Sequence, residues 1–109
     1  MRIGADYYPE HWEKERWKTD AEFMVKANIK VIRIGEFAWS LYEPEEGKYE
    51  FDWMGEALDF FGKYGIKEVM CTPSATPPKW MIDKYPDILQ NDIHGNPKRF
   101  GTRKHYCFN

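Results

Sequence analysis

The sequence predicts an α/β fold built on a parallel sheet, and three observations predict it. Short apolar segments centred near Ile3, Val31 and Val69 recur at a spacing of roughly one strand–helix–strand unit, about 30 residues. The segments between them carry apolar residues at helical intervals. Asn28, Gly35, Pro44, Gly47 and Gly65 stand as turn and breaker residues at the joints.

Ile3-Gly4-Ala5 opens a short buried strand. Pro9 and Glu10 lead a helix whose apolar face is Trp17, Ala21, Met24 and Val25, spaced i, i+4, i+7, i+8. The helix ends near Asn28, a residue that tolerates the left-handed cap conformation. Residues 29–35 are mostly β-branched and form the second strand. A long polar connection, 36–51, follows, and Asp52 is placed as the cap of the next helix. Met54, Ala57, Leu58 and Phe61 form that helix's buried face and Gly65 closes it. Residues 66–71 form the third strand. Thr76 reads as an N-cap with Pro77 at the first helical position, where a missing N–H costs nothing. That helix stops before Pro86, and from Gln90 onward the chain reads as loop up to Tyr106-Cys107-Phe108.

Alternating strands and helices imply a parallel sheet with right-handed crossovers. A (β/α)₈ TIM barrel takes about 250 residues, or about 31 per unit. The 109 residues therefore correspond to about its first three βα units. A parallel sheet of three strands has two open edges and one uncovered face, a poor independent fold. Residues 1–109 are accordingly read as the N-terminal portion of a larger barrel domain.

Composition is that of a globular chain, 42% hydrophobic and 31% charged, without repeats or low-complexity runs. No stretch approaches 18 consecutive apolar residues, so no membrane helix is predicted. The start, Met1-Arg2-Ile3-Gly4, lacks the apolar core and cleavage site of a signal peptide, and a cytoplasmic location is expected. Net charge is −2 and the 16 basic residues are scattered. The densest run, Lys98 to Lys104 with Arg99 and Arg103, is a loop rather than a nucleic-acid stripe. Two cysteines, Cys71 and Cys107, make no disulfide framework. Aromatic residues reach 17%, with five Trp and seven Tyr, an excess that suits stacking against flat ligands such as sugar rings.

Five segments carry a resemblance: Gly4-Ala5-Asp6-Tyr7-Tyr8-Pro9-Glu10, Arg33-Ile34-Gly35-Glu36-Phe37-Ala38-Trp39-Ser40, the Glu43-Pro44-Glu45-Glu46-Gly47-Lys48-Tyr49-Glu50-Phe51 stretch, Thr72-Pro73-Ser74-Ala75-Thr76-Pro77-Pro78-Lys79-Trp80, and Arg103-Lys104-His105-Tyr106-Cys107. In order and spacing the chain resembles the start of the family 42 glycoside hydrolases, which are β-galactosidases. The Glu-Pro-x-x-Gly stretch is shared among other barrel glycosidases; the remaining four segments are more specific. Each of three motifs begins where a strand ends, and in a barrel the active site lies at the C-terminal strand ends.

The resemblance implies hydrolysis of terminal non-reducing β-D-galactose residues with retention, by two carboxylates about 5–5.5 Å apart. In similar enzymes the acid/base is the Glu of an Asn-Glu pair and the nucleophile is a later Glu. No Asn-Glu dipeptide occurs here, so no catalytic residue is assigned among residues 1–109 and both glutamates are expected beyond them. Arg103 matches an arginine that hydrogen-bonds galactose, a task its planar fork of donors suits. Cys107 matches a cysteine that, in some members, joins three later ones on a structural zinc. No cofactor is required for the chemistry. The resemblance further implies a galactoside or oligosaccharide as substrate, no nucleic-acid or membrane partner, and a homotrimer for the full-length protein.

Other readings stand beside these. Arg103 also fits a surface cation, and Cys107 an inert buried thiol. Arg33, a charge in an apolar strand, needs a partner. It either orients a carboxylate in the barrel mouth or forms a structural ion pair with Glu36 or Asp6. Glu36 and Trp39, with Arg33, are candidate rim residues; Trp39 and Trp80 either stack sugar or pack. His94 and His105 read as loop histidines, and Cys71 as core. Another glycosidase of the same clan, or a barrel fragment inactive as it stands, are the alternative functions.

Overall fold

Three strands, β1 (Ile3–Asp6), β2 (Ile29–Ile34) and β3 (Lys67–Met70), form one parallel sheet in the order β1-β2-β3 in the computed structural model, which describes residues 3–101 and 106–107. Helices α1 (Lys14–Lys26) and α3 (Asp52–Lys63) make the two crossovers, while α2 (Trp39–Tyr42) and α4 (Lys79–Lys84) are short. The chain divides into two compact units, Met1–Gly35 with Phe51–Cys71, and Glu36–Glu50 with Thr72–Asn109.

In the first unit, α1 packs on β2 and α3 on β3. Trp17, Ala21 and Met24 are buried along one stripe of α1. Val25, expected on that stripe, is 43% exposed, because it lies about 100° further round the helix than Met24. The helix ends at Lys26, and Asn28, just past its cap at Ala27, adopts φ 58°, as its tolerance of the left-handed region predicted. From α3, Met54, Ala57 and Phe61 are buried, and Gly65 at φ 71° closes the turn into β3. Phe61 is fully buried and meets the Tyr7 ring edge-on at 5.1 Å. Trp17 anchors the segment before α1 by donating from Nε1 to the Pro9 carbonyl at 3.0 Å.

Three local expectations are corrected. Asp52 is the first residue of α3 rather than its cap, a position where its charge still meets the positive helix end. The 36–51 connection holds a helical turn, α2. Helix α4 starts at Lys79 with Pro78 as its cap, not at Pro77 after Thr76. The second proline disfavours the helical region for the residue before it, so Pro77 cannot open the helix. The stop before Pro86 holds, with α4 ending at Lys84.

Strand β2 alternates: Ile32 and Ile34 are wholly buried, whereas Val31 and Arg33 are half-buried on the opposite face. The register pairs Gly4 with Val31, Asp6 with Arg33, and Arg33 with Val69, so these residues share that second face.

Truncating Phe61 removes the ring that three aromatic neighbours pack against. Phe61→Ala is expected to cost about 3–5 kcal/mol. Urea unfolding followed by circular dichroism checks this, with a midpoint equal to wild type as the contrary result.

Candidate functional site

Side chains of opposite charge meet at the C-terminal end of the first unit's sheet. The ladder continues past the strands, with the Tyr7 N–H donating to the Arg33 carbonyl at 3.0 Å and the Cys71 N–H to that of Ile34 at 2.9 Å. Register therefore brings Asp6, Arg33 and Cys71 together. Arg33 donates from Nε to Cys71 Sγ at 3.0 Å and from Nη1 to Asp6 Oδ1 at 3.3 Å. The hydrogen bond to Cys71, then the Asp6 carboxylate, hold the guanidinium above its ordinary range. A cavity of about 350 Å³ opens here, lined by Gly4, Ala5, Asp6, Val31 and Arg33. Asp6, one of the two partners expected for Arg33, forms an ion pair with it. Cys71 is not the inert core thiol expected: it is half-buried and serves as an acceptor.

The second unit holds two buried carboxylates and gathers aromatic rings around one of them. Glu36 and Glu43 are each only 8% exposed. Glu43 ends α2, and its Oε2 accepts from Trp39 Nε1 at 2.9 Å, one helical turn back. Its Oε1 accepts from the Gly47 backbone N–H at 2.9 Å, and Gly47 takes φ 76° to close that turn. The Glu43 carbonyl accepts from Trp80 Nε1 at 2.7 Å. Tyr106 meets Trp39 edge-on, with ring centres 6.3 Å apart, and its hydroxyl donates to the Ser74 carbonyl at 2.6 Å. Trp39, Glu43, Tyr49, Trp80, Tyr85 and Tyr106 help to line a cavity of about 660 Å³. At its edge Glu46 pairs with Lys84 and accepts from the Tyr85 hydroxyl at 2.7 Å.

Arg103 and His105 lie outside the described residues. Cys107 is exposed, which corrects the buried-thiol reading; its backbone N–H donates to the Ile88 carbonyl at 2.7 Å. Among the described residues no three His, Cys, Asp or Glu side chains gather as a metal site. His94 sits in a loop turn, as expected, with its backbone N–H on Asp92 Oδ1. No described helix is long and apolar enough to cross a membrane.

The family model described as beta-galactosidase, glycoside hydrolase 42, matches residues 6–109. The chain belongs to that family. Among curated relatives, Beta-galactosidase BgaH of Haloferax lucentense is 50% identical over 109 residues, and a Beta-galactosidase of Thermus thermophilus is 55% identical over 106. These alignments cover 100% and 97% of this chain but 16% of each relative, so the family 42 chain spans about a sixth of their length. The beta-galactosidase of Halorubrum lacusprofundi superposes with a TM-score of 0.92 at 46% identity, covering 100% of this chain and 16% of that one. The cold-adapted enzyme of Rahnella sp. R3 gives 0.93 at 39% identity, covering 98% and 16%. The fold is thus that of the first βα units of a (β/α)₈ barrel, with a parallel sheet and alternating strands and helices.

Sequence reasoning quoted Glu43 only within a shared motif and did not single it out. The signal was present: Trp39, Glu43 and Gly47 stand at intervals of four, the spacing at which one carboxylate reaches back along a helical turn and forward to a turn amide.

Glu46 titrates below its usual range because Lys84, and then Tyr85, hydrogen-bond its charged form. What this contributes to stability is in place above the ordinary glutamate pKa and disappears as pH falls through the lowered one. Lys84→Met is therefore expected to raise the Glu46 pKa toward its ordinary value. A carboxyl-carbon NMR titration checks it, an unmoved midpoint being the contrary outcome.

Proposed function

We propose that this chain supplies the N-terminal part of the catalytic barrel of a β-galactosidase. That enzyme removes terminal non-reducing β-D-galactose by retaining double displacement, with two glutamates outside residues 1–109 as acid/base and nucleophile. The observation that carries the reading is the family match across residues 6–109, together with polar groups collected at the C-terminal end of the sheet. Barrel enzymes build their sites at that end.

Arg33 is assigned to the barrel mouth. Two of its five N–H donors go to Cys71 and Asp6, which fixes the guanidinium plane, and a guanidinium so held orients a carboxylate nucleophile without moving. Glu36 and Trp39 belong to the rim, and Arg103 donates to galactose hydroxyls beside the scissile bond. The chemistry needs no cofactor. Cys107, an exposed thiol, supplies one ligand of a structural zinc; a Cys₄ set needs three more thiolates, and the described residues do not form one. The full-length protein is a cytoplasmic homotrimer acting on a small galactoside or oligosaccharide.

In the complete polypeptide, Arg103→Ala is expected to lower kcat/KM on a chromogenic β-galactoside by about ten- to several-hundred-fold. Arg103→Lys recovers only part of it, since an ammonium lacks the planar fork. Near wild-type kinetics, or losses that track the melting temperature, contradict the assignment. Residues 1–109 alone are expected to show no hydrolysis above a matched blank.

A further inference from the structure

We propose that Glu43 is a positioning residue of a sugar-ring site in the Glu36–Glu50 and Thr72–Asn109 unit, fixing the Trp39 indole and the turn at Gly47 through the two oxygens of one carboxylate. The proposal rests on the β-galactosidase reading and adds to it a residue and a reason for its chemistry.

A carboxylate is costly to bury, and Glu43 is 8% exposed. The position is held by hydrogen bonds that only an acceptor of this kind can take. Both partners are donors without acceptor capacity, the Trp39 Nε1–H and the Gly47 N–H, one at each oxygen. Glutamine presents one oxygen and one amide nitrogen, so whichever way it turns, an N–H faces an N–H. The main-chain carbonyl at the same position takes the Trp80 indole, which sets the second tryptophan of the cavity beside the first, while the Trp39 bond alone depends on the carboxylate. At about 660 Å³ the cavity lies within the range of small-molecule sites, about 300–1,000 Å³. An indole whose N–H is tied back keeps its apolar face for a flat partner, and a pyranose ring offers C–H groups on one face and hydroxyls on its rim. With its two oxygens taken by Trp39 and Gly47, the Glu43 carboxylate acts on binding, by holding the Trp39 indole, rather than on the reacting atoms.

The test uses the complete polypeptide labelled with 5-fluorotryptophan, the Trp39 fluorine resonance being assigned by its loss in Trp39→Phe. Glu43→Gln is expected to shift that resonance and to raise KM for a β-galactoside about tenfold, one hydrogen bond's worth, with kcat within about twofold. Trp39→Phe, which keeps a ring but deletes the donor, is expected to raise KM as well, and Glu43→Gln added to it should change KM by less than about twofold further. The proposal is overturned if Glu43→Gln leaves KM and the resonance unchanged, if Trp39→Phe has wild-type KM, if the two effects simply add, or if activity falls only with the folded fraction. A wild-type polypeptide that cleaves no β-galactoside defeats the functional reading alone. Galactose titration then decides for Glu43: a wild-type Trp39 resonance that moves with sugar, and does not in Glu43→Gln, upholds the proposal, and one unmoved in wild type overturns it.

Discussion

Strand β2 is the element on which the first unit depends, because its two faces have incompatible requirements. Ile32 and Ile34 are fully buried on the helix side, and the two-residue period then leaves Arg33 no choice of face. A guanidinium in the helix-packed layer would lose its hydration without a partner. On the other face, parallel pairing sets Asp6 directly opposite, and two residues beyond Val69 on the neighbouring strand comes Cys71. The polar cluster is thus a by-product of burying two isoleucines.

Glu43 plays a comparable part in the second unit by another route. No ladder passes through it; a single side chain joins the end of a four-residue helix to a turn closed by a left-handed glycine. Helices this short do not hold themselves together, since nucleation is unfavourable and few backbone bonds follow. Order at Trp39 accordingly depends on side-chain hydrogen bonds to a degree that order in α1 does not.

The strands and long helices were legible because burial and local propensity agree there: β-branched residues at 29–34, apolar stripes through Trp17 and Phe61, and Asn28 and Gly65 at the joints. Legibility failed where a neighbour rather than a pattern decides. Val25 is apolar and near the stripe, yet its exposure follows from the helix's rotation on the sheet. Pro77 carries the local signature of a helix start, and Pro78 after it overrides that signature. The Arg33–Cys71 bond depends on register between strands 38 positions apart, which no local window contains. In the functional region, motif reading picked out Trp39 and Glu36 but not the carboxylate beside them. Arg103, the residue most dependent on family likeness, lies outside the described residues.

Both crossover helices of the first unit end the same way, with a residue in the left-handed region, Asn28 at φ 58° and Gly65 at φ 71°, followed within two residues by a strand. Such junctions have a fixed length. An inserted residue would turn the incoming strand over, exchanging its buried and open faces along its whole course. The strand-to-helix connections are under no such constraint, and the one after β2 already runs from Gly35 to Phe51. Changes of length are therefore accommodated most readily at one end of the sheet, the end that carries its polar groups.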